Sequence, residues 1–179
     1  RQPFHDAHST AVAGLTNIHG GDSRFYNNIF IGQGRPTANP RQDTLNDPQW
    51  TGGYGLWVYD FREFPIFAGG NVYCNGARPW KHEIPPVILH DFDPKPTLSE
   101  RNGRLYFGMD AAEAILKAKT IQVTTELLGQ PRVTKVPYVN VDGSAVCIDY
   151  DHFGRKRNPD APTPGPFERL DRSNRFRLR

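Results

Sequence analysis

The chain has 179 residues, of which 37% are hydrophobic and 12% aromatic, with 17 Gly, 16 Pro, two Cys and a net charge of +3. That length fits one domain able to bury about 70% of its unfolded surface; the composition excludes long helices and favours short strands, turns and aromatic packing. No apolar run approaches the roughly 18 residues of a membrane-spanning helix, two cysteines are too few for a disulfide framework, and the excess arginine lacks the setting of a nucleic-acid reader.

Residues 1–19 alternate small, polar and apolar types and read as a loop leading into a strand. The segment Gly20-Gly21-Asp22-Ser23-Arg24-Phe25-Tyr26-Asn27-Asn28-Ile29-Phe30-Ile31-Gly32 is the most telling. An aromatic pair, two asparagines and a β-branched run lie between glycines, as in one coil of a parallel β-helix. Asparagine tolerates the left-handed turn between short strands, and its amide can ladder with adjacent coils. A related phrase returns as Gly69-Gly70-Asn71-Val72-Tyr73-Cys74-Asn75-Gly76. Two such phrases are fewer than a solenoid needs alone, so the chain reads as the end of a β-helix.

Residues 33–53 are polar and rich in Pro, Asn and Asp, the pattern of a long surface insertion. Strands are expected at 55–59, 65–67 and 71–74, and a proline-rich loop at 77–97. A strand at 104–109 precedes Asp110, which can cap a short helix over 111–117. Strands at 138–141 and 145–149 flank Asp142-Gly143, a hairpin signal. The proline-rich 158–166 stretch is expected on the surface and the arginine-bearing tail in solvent. Cys74 and Cys147, both in apolar runs, are expected as buried free thiols. The architecture is thus all-β: parallel β-helix coils with inserted loops (1–100), a cap of antiparallel strands and one short helix (101–157) that covers the last coil's edge, and a basic tail (158–179). The opening Arg1-Gln2-Pro3-Phe4 reads as cut from something longer, which leaves the compartment open between a bacterial cytoplasm and periplasm.

Phe4-His5-Asp6-Ala7-His8-Ser9-Thr10-Ala11-Val12-Ala13-Gly14, followed by the Gly20–Gly32 phrase, resembles the C-terminal part of the glycoside hydrolase family 120 β-xylosidases. The similarity continues through Val72-Tyr73-Cys74-Asn75-Gly76-Ala77-Arg78-Pro79, Asp91-Phe92-Asp93-Pro94-Lys95, Asp142-Gly143 and Ile148-Asp149-Tyr150-Asp151. The resemblance implies a right-handed parallel β-helix enzyme that releases xylose from the non-reducing ends of xylo-oligosaccharides with retention of configuration. It implies an Asp nucleophile and a Glu acid/base on neighbouring coils. Coil spacing of about 4.8 Å suits the carboxyl separation of about 5–5.5 Å that retention uses. Both carboxylates precede the His-Ser-Thr segment in the family, so no catalytic residue is expected in this chain, which alone should be inactive. The N-terminal remainder of the helix is the implied partner. Ala11 stands where the family pattern has Glu.

His8, and after it His5, match the family segment that leans toward the cleft, and a neutral imidazole can both donate to and accept from sugar hydroxyls. Trp50, in the polar insertion, is the better sugar platform; Trp57 reads as core, and Trp80 is less favoured. Asp22 with Arg24 reads as a turn-capping structural pair. Asp60 with Glu63 and Asp91 with Asp93 are close carboxylate pairs, read as strand-end and turn residues rather than catalysts. The histidines at 5, 8, 19, 82, 90 and 152 have no partners at metal-site spacing, so neither metal nor cofactor is expected. A non-catalytic β-helix cap or carbohydrate-binding module for adhesion is the alternative.

Overall fold

Asparagine sets the corners. Asn27 (φ 57°) follows strand β1 (Arg24–Tyr26) and Asn75 (φ 49°) follows β4 (Val72–Cys74), each in the left-handed region that asparagine enters at low cost. The computed structural model describes residues 22–34, 54–60 and 66–178. From β1 the chain turns through Asn27-Asn28 into β2 (Ile29–Ile31), and from β3 (Phe67–Gly69) through Gly70-Asn71 into β4. β1 pairs parallel with β3, and β2 with β4, in registers Arg24↔Phe67 and Ile29↔Val72. β5 (Val87–Leu89) extends the second sheet in parallel, Val72↔Val87. The corners therefore stack. Gly70 (φ 66°) lies under Asn27, and a Cβ there would collide with the Asn27 side-chain oxygen. Asn28 donates its backbone N–H and side-chain amide to Asn71 Oδ1 at 2.8 and 3.0 Å, the expected asparagine ladder.

The central strand β4 of sheet β2-β4-β5 is buried on both faces. Alternation along the strands sends Phe30 and Tyr73 inward, their rings stacked 5.1 Å apart beside Leu56, Ile66 and Ala77. Ile29, Ile31, Val72 and Cys74 face the other way, onto Ala111 and Ile115. Uninterrupted apolar strands such as Ile29-Phe30-Ile31 are what two-sided burial demands. Ile115 belongs to helix α1 (Glu113–Leu116). The expected helix is thus present but shorter, and it packs against the outer flank of the parallel sheet.

The remaining strands form an antiparallel sheet of β6 (Thr97–Arg101), β7 (Arg104–Asp110) and β8 (Ser173–Arg177). β6 and β7 join through Asn102-Gly103, both with positive φ as a tight hairpin requires. A second short helix, α2 (Thr125–Leu128), starts at Thr124, whose hydroxyl accepts from Leu127 N at 3.2 Å. Strands outnumber helices among the described residues, as an all-β chain should show.

Several elements differ from expectation. Leu56–Tyr59 is a 3₁₀ turn, closed by Asp60 N donating to Trp57 O; Trp57 is buried as expected, with the Arg78 guanidinium 4.3 Å over its ring. The 77–97 stretch contributes β5. Residues 138–149 keep a single antiparallel bridge, Val139↔Ala145, instead of a hairpin of two strands. The reason is competition: Thr125 N donates to Val146 O and Ile148 N to Val123 O, so the second segment pairs with residues 123–125. Pro162 and Pro164 are fully buried rather than superficial, and the tail supplies β8.

Cys74 is fully buried, whereas Cys147 is exposed, contrary to expectation. Burial pushes the Cys74 thiol up to about 12, with the Asp93 charge adding to the effect. Ellman's reagent should therefore titrate one thiol in the native chain, lost in Cys147→Ser, and reach Cys74 only in denaturant. Two equally fast thiols would contradict the two-sided burial of β4.

Candidate functional site

His5, His8 and Trp50, the expected sugar contacts, lie outside the described residues, as does Glu63. Three other arrangements remain: a buried polar network, a groove and a set of turn carboxylates.

The network sits beside the inner apolar cluster of Leu56, Ile66, Tyr73 and Ala77. Asn71 and Tyr73, two residues apart, point to the same side of β4, and Glu83 meets them from the following loop. Asn71 Nδ2 donates to Phe25 O and to Glu83 Oε1, each at 2.8 Å. Glu83 Oε1 also accepts from Asn71 N at 3.3 Å, and Oε2 from the Tyr73 hydroxyl at 2.5 Å. Burial, reinforced by the bond to Glu83, pushes the Tyr73 phenol far above its usual range, so it remains a donor. Glu83 is only 4% exposed. With both oxygens bonded to Asn71 and Tyr73, it ties the following loop to β4. The i, i+2 spacing of Asn71 and Tyr73 was readable as a shared face; nothing in the spacing pointed to Glu83.

A groove of about 500 Å³ runs beside β2, between the Tyr26–Ile31 corner and a wall that includes Phe107, Met109, Val123, Ile148 and Arg157. Its volume falls within the range of small-molecule sites. Its chemistry is mostly apolar, and among the described residues no carboxylate lines it. Arg157 directs its guanidinium to the carbonyls of Thr163 and Gly165, each at 2.8 Å, and toward Glu168. The described lining can shelter apolar groups and offers no carboxylate or histidine as acid or base.

The close carboxylates hold backbone. Asp60 accepts from Lys81 N at 2.9 Å, and Asp93 from Lys95 N at 2.8 Å in a turn where Lys95 has φ 48°. Asp22 accepts from Arg132 N and from Arg24 Nη1, both at 2.7 Å; the Arg132 amide and then Arg24 hold its carboxyl below the usual range. This is the structural pair expected for Asp22 and Arg24, with Arg132 as an added partner. Trp80 packs against the inner cluster and meets His82 edge-on at 5.0 Å. His152 lies among aromatics, 5.2 Å from Phe153 and 5.9 Å from Phe167. Among the described residues no group of three or more His, Cys, Asp or Glu could hold a metal ion, and no helix is long and apolar enough to cross a membrane.

The chain is similar to the solved structure of XylC in complex with xylose, with a TM-score of 0.68 and 26% identity over 96% of this chain. It spans 28% of the length of that protein. No family model matches the chain, and no curated protein matches it.

Proposed function

We propose that the chain is part of a xylosidase-like glycoside hydrolase, contributing coils of a right-handed parallel β-helix and the lobe packed beside them. The observation that carries this reading is the likeness, along nearly the whole chain, to a protein whose structure holds xylose. Parallel registers that stack one asparagine corner on the next support the helix. Xylo-oligosaccharides are the substrate class, and no cofactor enters. His8, His5 and Trp50 are the proposed sugar contacts. The resemblance places the catalytic Asp and Glu ahead of the His8-Ser9-Thr10 segment, about 5–5.5 Å apart as retention needs; among the described residues no carboxylate lines the groove, and Asp60 and Asp93 serve turns.

The test is hydrolysis of a nitrophenyl xyloside. The chain alone should show no turnover above background, since loss of either carboxylate removes orders of magnitude of rate. Turnover that vanishes in Asp60→Asn or Asp93→Asn would relocate the active site into this chain. A longer reading frame should carry Asp and Glu one coil apart ahead of the His8-Ser9-Thr10 segment; a frame without them would favour a non-catalytic carbohydrate-binding or adhesion module.

A further inference from the structure

The antiparallel sheet β6-β7-β8 has two unlike faces. Side chains alternate along a strand, and directly paired residues share a face. The registers Leu98↔Phe107 and Phe107↔Phe176 put these three on one face, where Phe107 and Phe176 meet Phe167 at 6.0 and 3.9 Å. The opposite face carries four exposed arginines, Arg101, Arg104, Arg175 and Arg177, around Tyr106, with Asp110 as its acid at the far end.

Three observations set this face apart from an ordinary solvated surface. The ion pairs among the described residues engage none of the four guanidiniums. Arg101 and Arg104 stand directly opposite each other across the hairpin, and like charges so placed cost stability, so folding alone gives no reason for the pair. Arg175 lies 4.8 Å over the Tyr106 ring, which fixes its guanidinium on the sheet. Neighbouring positions are about 4.8 Å apart across the strands and about 6.8 Å along them, so the four charges step diagonally across the sheet from Arg101 through Arg104 and Arg177 to Arg175, as a row that a linear polyanion can follow.

We propose that this face binds a carboxylated polysaccharide, xylan bearing uronic acid side groups, with the arginines pairing to the carboxylates. Guanidinium presents a planar fork that matches a carboxylate through two parallel hydrogen bonds. Single-stranded nucleic acid is disfavoured because the Tyr106 ring, on which a base would stack, is covered by Arg175. A flat three-stranded face also offers no helix or ribbon to enter a duplex groove. The xylan backbone rests on the xylosidase-like reading; the recognition of carboxylates does not.

Affinity electrophoresis of the 179-residue chain tests this, using gels that contain glucuronoxylan, carboxyl-reduced glucuronoxylan or polyuridylate. Retardation is expected in glucuronoxylan alone, and it should fade at about 0.5 M salt as screening shortens to a few ångströms. The pairs Arg104→Gln with Arg177→Gln, and Arg101→Gln with Arg175→Gln, should each weaken the apparent Kd by about tenfold. Lys135→Gln, an exposed charge elsewhere, should leave it unchanged, and circular dichroism should show every variant folded. Equal retardation by the carboxyl-reduced polymer, unchanged binding in both double variants, or stronger retention by polyuridylate would each overturn the proposal. Xyloside turnover is a separate readout: an active-site result against the xylosidase reading leaves the retardation standing, and lost retardation leaves that reading standing.

Discussion

Asn71→Ala lowers the unfolding free energy by about 3–5 kcal/mol, measured by urea denaturation. The side chain is fully buried and bridges four groups: Asn28 through its backbone and its amide, the Phe25 carbonyl, and Glu83. Alanine leaves the Phe25 carbonyl and the Asn28 amides short of partners and strips one donor from Glu83. Each buried group left unpaired costs about 1–3 kcal/mol, which for a small domain is a large share of a total of about 5–15 kcal/mol. Asn71→Asp separates volume from bonding. It preserves size but sets a second carboxylate against Glu83, so it should be nearly as damaging. Tyr73→Phe removes one donor to Glu83 and should cost less, about 1–2 kcal/mol. A loss under about 1 kcal/mol for Asn71→Ala would show that water replaces the amide and that the corner ladder is incidental.

The second large effect belongs to Arg24. Its guanidinium joins the first strand to residues more than a hundred positions away, donating to the carbonyls of Leu128 and Gln130 at 3.0 Å each. It also pairs with Asp22 and lies against the rings of Phe67 and Tyr138, at 4.4 and 5.3 Å. Lysine retains the charge but not the planar set of donors, so Arg24→Lys should lose about 2–3 kcal/mol. A variant within about 0.5 kcal/mol of wild type would mean that charge alone matters here. The same cluster sets an acid response. The Asp22 carboxyl is depressed in the folded chain, so its contribution is present above its unfolded value of about 3.9 and disappears as pH falls through the lower native value. Stability should therefore drop more steeply on acidification in wild type than in Asp22→Asn. Parallel pH curves would remove Asp22 from the account.

Much of the parallel strand arrangement was legible because its rules are local. Glycine and asparagine at the corners, and apolar triplets between them, specify where strands begin and end without reference to distant residues. Asn102-Gly103 carries a hairpin signal as strong as Asp142-Gly143, but the polar Thr97–Arg101 ahead of it does not read as a strand until β7 pairs with it, and reading 77–97 as a single loop conceals β5. Asp142-Gly143 carried a similar signal but formed one bridge, because residues 145–148 found better partners at 123–125. Propensity describes a segment's preference, and tertiary pairing decides between partners. β8 was hidden for a related reason: Ser173–Arg177 alternates Arg with Asn and Phe, which reads as a charged tail until β7 is there to pair with it. Glu83 could not be found from spacing at all, since its role depends on a loop returning it to Asn71 and Tyr73. The sugar contacts drew on family resemblance at His5 and His8 and on a single exposed-looking Trp50, neither of which involves packing.

The Asn27 corner has a consequence in time. Its side chain exchanges two hydrogen bonds with the backbone of Ile121, and its carbonyl accepts from Gly165 N. These partners leave the ribosome long after the corner does, by roughly 10 s at ordinary elongation rates of about 5–20 residues per second. Throughout that interval the outer faces of β1 and β2 await the lobe that buries them, and closing such distant contacts is itself slow. The nascent chain therefore depends on whatever shields an apolar strand pair during synthesis. A faster translating host should yield less soluble protein from the same message, with the deficit tracking the delay between codon 34 and codon 165 rather than the stability of the finished fold.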